Sequence, residues 1–115
     1  MSKVSAIQLN SGPNIKVNLY DVKTFIEQIA DVGSKMVVLP ENFALMPEND
    51  ADYIKHAEEL GDGQIQNYLS DLASSYKIWI VGGTIPIKSK DKDRVMASTI
   101  TYNEKGEQVS LYNKI

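Results

Sequence analysis

The sequence contains no cysteine among its 115 residues. This excludes disulfides, cysteine-ligated metals and any thiol nucleophile within the chain. Histidine is almost as scarce: the single one, His56, lies beside Lys55 and close to Glu58, so we expect it to be solvated. With no further histidine and no cysteine to join it, we expect no metal and no cofactor.

Blocks of like charge are also missing. Twelve basic and fifteen acidic residues leave a net charge of −3, spread along the chain, so neither nucleic acid nor an anionic membrane is an expected partner. No apolar run approaches the ~18 residues of a membrane span, and the first residues do not form a signal-peptide core. With 43% hydrophobic and 23% charged residues, we expect a globular cytoplasmic protein.

Short apolar runs bounded by turn residues predict five strands. The run Met36–Leu39 has no polar alternation, which is typical of a parallel strand covered on both faces. In a later strand, Gly82 and Gly83 indicate a point where another part of the chain approaches the backbone closely. The predicted strands span residues 4–10, 36–39, 78–84, 95–102 and 108–114, and a hairpin turn at 103–106 joins the last two.

Apolar residues at helical spacing predict three helices. We expect Asn18 to cap the first, which would end near Val32, and Asp50 to cap a short second helix that reaches Leu60. The third covers residues 65–76. The order β-α-β-α-α-β followed by a β-hairpin predicts an α/β fold with a mixed sheet and two long helices on one face.

The predicted elements are insufficient to complete a domain. Two long helices can cover only one face of a sheet, whereas the strand at 36–39 is typical of cover on both faces. The sequence also stops within its last predicted strand, without a turn or a cap. We therefore expect residues 1–115 to be the N-terminal portion of one larger domain.

Glu41 is the first candidate for chemistry, because it follows Leu39 and Pro40 at the carboxyl end of a predicted buried strand. Ligands of open α/β sheets bind beyond these strand ends, and a carboxylate there can act as a general base. By position alone, an ordinary loop glutamate is the commoner explanation. Phe43 and Met46 are candidates for lining a pocket beside Glu41, although packing onto the core is at least as common.

The segment VVLPENF at 37–43 resembles the glutamate motif of the nitrilase superfamily, the carbon–nitrogen hydrolases. Three further segments are similar to this family in order and spacing: VSAIQ at 4–8, VGGTIP at 81–86 and GEQVSLYNKI at 106–115. The resemblance covers essentially the whole chain. The segment LPENFALM at 39–46 looks most like the bacterial branch that contains deaminated-glutathione amidases and omega-amidases, although many family members have an asparagine where this chain has Ala97.

The resemblance implies an α-β-β-α sandwich, a homo-oligomer and hydrolysis of a small amide through a cysteine thioester. It implies Glu41 as the general base and Lys114 as the cation that stabilises the oxyanion. Without the resemblance, a solvent-exposed lysine at a strand end is the better explanation of Lys114. The family's cysteine lies downstream of this lysine, so we expect residues 1–115 alone to be inactive. The alternative is a truncated, non-catalytic α/β module that acts through self-association or a partner chain.

Overall fold

In the computed structural model, which describes residues 3–91 and 94–114, five strands form one mixed sheet. They are adjacent in chain order, with β1 parallel to β2, β2 parallel to β3, and the β3–β4 and β4–β5 pairs antiparallel. The strands are β1 (Lys3–Ala6), β2 (Ser34–Val38), β3 (Trp79–Lys88), β4 (Val95–Tyr102) and β5 (Gln108–Lys114). The predicted α/β class with a mixed sheet is confirmed.

The helices of this part of the chain are α1 (Ile15–Asp31), α2 (Asp50–Lys55) and α3 (Gln64–Tyr76). The long helices α1 and α3 pack against each other and against one face of the sheet, as predicted. The core between them consists of fully buried aliphatic side chains, among them Ile26, Val37, Leu69, Ile80 and Ile100. None of the described helices is long and apolar enough to cross a bilayer.

The predicted cap of the first helix is wrong. Asn14 is the N-cap, and its side-chain oxygen accepts a hydrogen bond from the Val17 amide at 3.1 Å. Asn18 lies one turn inside α1 and is buried, and its side chain binds the backbone of Gly12 and Ala44 instead. Local capping preference does not distinguish these two asparagines, because one partner of Asn18, the buried Ala44, lies 26 positions away in the sequence.

The predicted second helix is also too long, and its cap is Asn49 rather than Asp50. The helix ends at Lys55 because the following residues pair with other elements. The Glu58 amide donates to the Pro86 carbonyl at 2.9 Å, and the Glu58 carboxylate accepts from the Ile65 amide at 2.7 Å. Glu58 therefore ties this segment to β3 and supplies a hydrogen-bond acceptor to the first turn of α3.

The largest differences between the predicted and observed strand boundaries are at the ends of β1 and β3. β1 ends at Ala6 rather than residue 10, while β3 continues four residues beyond the predicted end at Thr84. The extension of β3 is stabilised by pairing, since Lys88 lies opposite Val95 of β4. Pairing partners of this kind are tertiary and cannot be inferred from a short apolar run.

The sheet face opposite α1 and α3 is open in the described part of the chain. Val4, Val38 and Trp79 are 63%, 38% and 36% exposed on this face, whereas Val37 on the helix-covered face is fully buried. The cover expected on both faces of residues 36–39 is therefore present on one face only. β5 is exposed along its whole length.

Candidate active site

Glu41 lies in the turn that follows β2. The strand direction continues through Leu39, whose amide donates to the Val81 carbonyl at 2.9 Å, and the chain then turns at Glu41 and Asn42. Asn42 has a φ of +53°, a left-handed conformation that asparagine tolerates better than most residues. The turn thus directs the Glu41 side chain outward, beyond the carboxyl end of β2.

The residues after this turn are packed into the protein. Phe43 is fully buried in the core, while Met46 is 46% exposed, and neither lines the cavity that contains Glu41. The Ser11 hydroxyl donates to the Phe43 carbonyl at 2.6 Å, and the Asn18 amide group donates to the Ala44 carbonyl at 2.8 Å. Of the two explanations open for Phe43, core packing is the one that the structure supports.

The backbone of β3 passes unusually close to the Glu41 turn. Gly83 has a φ of +34°, and a Cβ atom at this position would lie 2.1 Å from the Pro40 carbonyl oxygen. At the neighbouring Gly82, a Cβ would lie 2.9 Å from the Ile100 carbonyl oxygen. The expected close approach to these two glycines is confirmed.

Two hydroxyl groups hold the residue next to Glu41. The Asn42 amide donates to Thr84 Oγ1 at 2.8 Å, and the Thr84 hydroxyl lies 3.3 Å from Asn42 Oδ1, to which it donates. The Tyr53 hydroxyl, from α2, donates to the same Oδ1 at 3.3 Å. Side chains from β3 and α2 therefore converge on the turn.

Lys114 comes from β5, an edge strand of the sheet that does not pair with β2. It lies on β5 opposite Ala97 of β4, and the next pair in the register, Ser98 and Asn113, is joined by a side-chain hydrogen bond of 2.6 Å. The Lys114 Nζ donates to Glu41 Oε1 at 2.8 Å. The structure thus brings together the two residues singled out from the sequence, 73 positions apart.

The pair is accessible to water, with 55% of the Lys114 side chain and 59% of the Glu41 side chain exposed. The hydrogen bond to Glu41 and the charge of Glu41 both raise the pKa of Lys114, so its ammonium form is favoured. Burial, and then the Glu41 charge, raise the pKa of Tyr53, which therefore remains a neutral hydroxyl donor at neutral pH. The site offers one carboxylate, one ammonium and one phenol.

An open cavity of about 540 Å³ contains the pair. Its volume falls within the range of small-molecule sites. Its walls combine polar and apolar side chains: Glu41, Asn42, Pro47, Asp50, Tyr53, Ile54, Val95, Ala97 and Lys114. Among the described residues, no group of three or more potential metal ligands of the His, Cys, Asp and Glu types occurs, and His56 forms the C-cap of α2 outside this cavity.

Sequence reasoning missed the supporting residues of this site. Tyr53 falls within the predicted second helix and Thr84 at the end of a predicted strand, and the sequence pattern singles out neither residue for the site. A hydroxyl at position 84 next to two glycines was the one available signal, but its partner Asn42 lies 42 positions away. Only the pairing of β2 with β3 places them in contact.

A comparison with known protein families identifies the class of protein to which this mixed α/β sheet belongs. The sequence profile described as carbon–nitrogen hydrolase matches residues 3–115. The chain belongs to the carbon–nitrogen hydrolase family, within the nitrilase superfamily.

Similar proteins include two named amidases. The chain is 35% identical to the deaminated glutathione amidase of Yersinia enterocolitica and 34% identical to the omega-amidase NIT3 of Saccharomyces cerevisiae, over 99% and 98% of its own length. It spans 40% of the length of each. Its structure is similar to that of Saccharomyces cerevisiae Nit3, with a TM-score of 0.86 and 32% identity over 99% of this chain and 44% of the other.

Proposed function

We propose that residues 1–115 are the N-terminal portion of one carbon–nitrogen hydrolase domain, and that the whole protein hydrolyses a small amide through a cysteine thioester. The contact between Glu41 and Lys114 in an open cavity is the observation that carries this proposal. The amidase names of the relatives support the amide substrate. The chain itself contains no cysteine, so the nucleophile would come from outside these residues.

In this mechanism Glu41 moves protons. Its carboxylate takes the thiol proton, and the thiolate attacks the amide carbon to form a tetrahedral intermediate. The protonated Glu41 gives the proton to the leaving nitrogen, which departs as ammonia or an amine and leaves a thioester. Glu41 then takes a proton from water, which attacks the thioester and releases the acid and the thiol.

Lys114 stabilises negative charge in both tetrahedral intermediates. Its ammonium lies 2.8 Å from the Glu41 carboxylate, so a substrate oxygen bound beside that carboxylate is within reach of the same cation. The amine is charged at neutral pH, and contact with Glu41 raises the pKa of Lys114 further, which favours the ammonium form that this task requires.

For the substrate, we propose an amide of the kind named for the relatives, deaminated glutathione or an omega-amide. The half-polar walls of the cavity, with Tyr53 as a neutral donor, support a small polar amide rather than an apolar one. A panel of such amides, with released ammonia or amine as the readout, tests the choice. Exclusive turnover of an aliphatic nitrile would contradict it.

The residue roles are tested by Glu41→Gln and Lys114→Ala in the whole protein. We expect kcat to fall roughly 10²–10⁴-fold for Glu41→Gln and about 10²–10³-fold for Lys114→Ala, as for a general base and an oxyanion stabiliser. Glu104→Gln and Lys105→Ala, in the exposed hairpin turn, are matched controls that should keep normal turnover. If either site variant retained near-native kcat, the role assigned to that residue would be wrong.

A second candidate function, a non-catalytic module that binds another chain, is favoured by the open sheet face. Val4, Val38 and Trp79 are exposed there, and β5 offers an uncovered edge strand, both of which promote association. We propose on the same grounds, and from the family likeness, that the whole protein is a homo-oligomer. Sedimentation of the 115-residue chain tests association: a well-behaved soluble monomer would argue against it.

A further inference from the structure

Thr84 lies at the point where the pairing of β3 with β4 is irregular. The register is interrupted between Gly82 and Ile85, and Thr84 is only 9% exposed. It is not among the residues that line the cavity that holds Glu41. Its hydroxyl nevertheless points at the residue that follows Glu41.

The hydroxyl serves as acceptor and donor for one residue. It accepts the Asn42 amide proton at 2.8 Å, a normal hydrogen-bond length, and donates to the Asn42 side chain at a longer 3.3 Å. The first bond fixes the backbone of Asn42, whose φ of +53° is sparsely populated by residues other than glycine. Because Glu41 directly precedes this amide, the same bond limits the directions that the Glu41 side chain can take.

The backbone of the residue before Thr84 is held by contacts with β4 and with the turn. The neighbouring Gly83 carbonyl accepts a hydrogen bond from the Thr99 hydroxyl of β4, and the Gly83 backbone is packed closely against the Pro40 carbonyl. The irregular part of β3 is therefore fixed between β4 and the turn. It connects the strand pair β4–β5, which carries Lys114, to the turn that carries Glu41.

We propose that Thr84 is a positioning residue for the general base, acting through Asn42 to hold the Glu41 carboxylate beside Lys114. The inference rests on the proposed function, because it assigns to Thr84 a part in the proton transfers of Glu41. Without the Thr84 oxygen, the Asn42 amide loses its partner at a part-buried site and the turn relaxes. A general base must stay within about 2.6–3.2 Å of the heavy atom whose proton it abstracts. A small displacement of the carboxylate therefore lowers kcat more than it weakens substrate binding.

The test compares Thr84→Val with Thr84→Ser in the whole protein. Valine keeps the shape and removes the hydroxyl, while serine keeps the hydroxyl. We expect kcat of Thr84→Val to fall about 10–100-fold with KM changed by less than about 3-fold, and Thr84→Ser to remain within about 3-fold of wild type in both. Thr101→Val, at a half-buried position of β4 outside this network, is the matched control and should leave kcat unchanged.

Thermal unfolding of each variant separates positioning from a general loss of structure. A merely structural threonine would lower the Tm of Thr84→Val but leave kcat per folded molecule at the wild-type level, and that result would overturn the inference. Equal loss of kcat in Thr84→Val and Thr84→Ser would also overturn it, since the hydroxyl would then be irrelevant. If Thr84→Val is not recovered folded, Thr84→Ala, which also lacks the acceptor, replaces it with the same expected kcat.

Including Glu41→Gln in the same series distinguishes a failure of the Thr84 inference from a failure of the proposed function. If Glu41→Gln is inactive and Thr84→Val turns over like wild type, the Thr84 inference is wrong and the proposed function stands. If Glu41→Gln turns over normally, the proposed function is wrong, and the inference about Thr84 fails with it.

Discussion

The two residues of the candidate site are supported by very different parts of the protein. The Glu41 turn is fixed by buried groups: Phe43 is fully buried and the Thr84 hydroxyl binds the Asn42 amide. Lys114 lies on β5, which pairs with β4 on one side and is exposed at every position. The base is therefore positioned by core packing and part-buried hydrogen bonds, whereas the amine is positioned by the register of an exposed strand and by its hydrogen bond to Glu41.

This difference has consequences for mutation. Substitutions around the Glu41 turn should change stability and the position of the carboxylate together, because the same contacts serve both. Substitutions around Lys114 should change the site with little effect on folding, because exposed edge strands contribute few buried contacts. Four experiments test this contrast, beginning with the largest expected change in the free energy of unfolding.

Phe43→Ala should cause the largest loss in the free energy of unfolding. Phe43 has no exposed surface, so removal of its ring leaves a cavity in the core directly behind the Glu41 turn. We expect the free energy of unfolding, measured by urea denaturation, to fall by about 3–5 kcal/mol. The nearby Met46→Ala is the control: Met46 is 46% exposed, and its change should stay within about 0.5 kcal/mol. A small effect at Phe43 would mean that the turn is not anchored by the core.

Gly83→Ala should lower the free energy of unfolding less than Phe43→Ala does, and it also acts on the Glu41 turn. The new methyl group would overlap the Pro40 carbonyl oxygen at a position with φ of +34°, so either β3 or the turn must move. We expect a loss of about 1–3 kcal/mol in urea denaturation, accompanied by lower kcat in the whole protein. Gly12→Ala, where a Cβ meets nothing within 4 Å, should not be destabilising. Equal effects at both glycines would contradict the close approach at Gly83.

Asn113→Ala tests the strand register on the Lys114 side. The Asn113 side chain accepts a hydrogen bond from the Ser98 hydroxyl at 2.6 Å, and Ser98 is fully buried. Loss of that acceptor should lower the free energy of unfolding by about 1 kcal/mol. Ser110→Ala, also on exposed β5, is the comparison variant and should change stability by less than about 0.5 kcal/mol. Destabilisation as large as that of Phe43→Ala would remove the contrast between the two sides.

Lys114→Met should have the smallest effect on folding although it removes a proposed catalytic group. Both members of the Lys114–Glu41 pair are more than half exposed, and exposed ion pairs contribute little to stability. We expect no measurable change in urea denaturation at pH 7, with Lys105→Met, at another exposed lysine, as the control. A marked loss at pH 7 would show that the pair is a structural element.

The pH dependence of the same pair has a defined sign. Contact with Glu41 raises the pKa of Lys114 above its usual 10.5, so the folded state holds this proton more tightly than the unfolded state. Any stability that the pair contributes is therefore present below pH 10.5 and lost as the pH rises through the raised pKa. Since no difference between wild type and Lys114→Met is expected at pH 7, none should develop in urea denaturation at increasing alkaline pH, and a wild-type advantage that grew with pH would contradict this sign.

The sequence was sufficient to predict much of the fold and both charged residues of the candidate site. The strand–helix alternation predicted the mixed sheet, and the motifs around Glu41 and Lys114 indicated the pair that the structure places in contact. The helix caps were wrong at Asn18 and Asp50, where residues of suitable type stand close to the true caps. Capping preference depends on residue type, and it cannot tell which asparagine has a buried partner elsewhere.

Local pattern thus established which segments form helices and strands and which two residues are candidates for acid–base chemistry, because spacing and residue type are properties of the chain itself. Contacts between distant segments established the rest: the Thr84 bond to Asn42, the tight passage of Gly83 past Pro40 and the length of β3. These features arise only when the strands and the turn are packed together. The first two join residues about forty positions apart in the sequence, and the third depends on the pairing of β3 with β4.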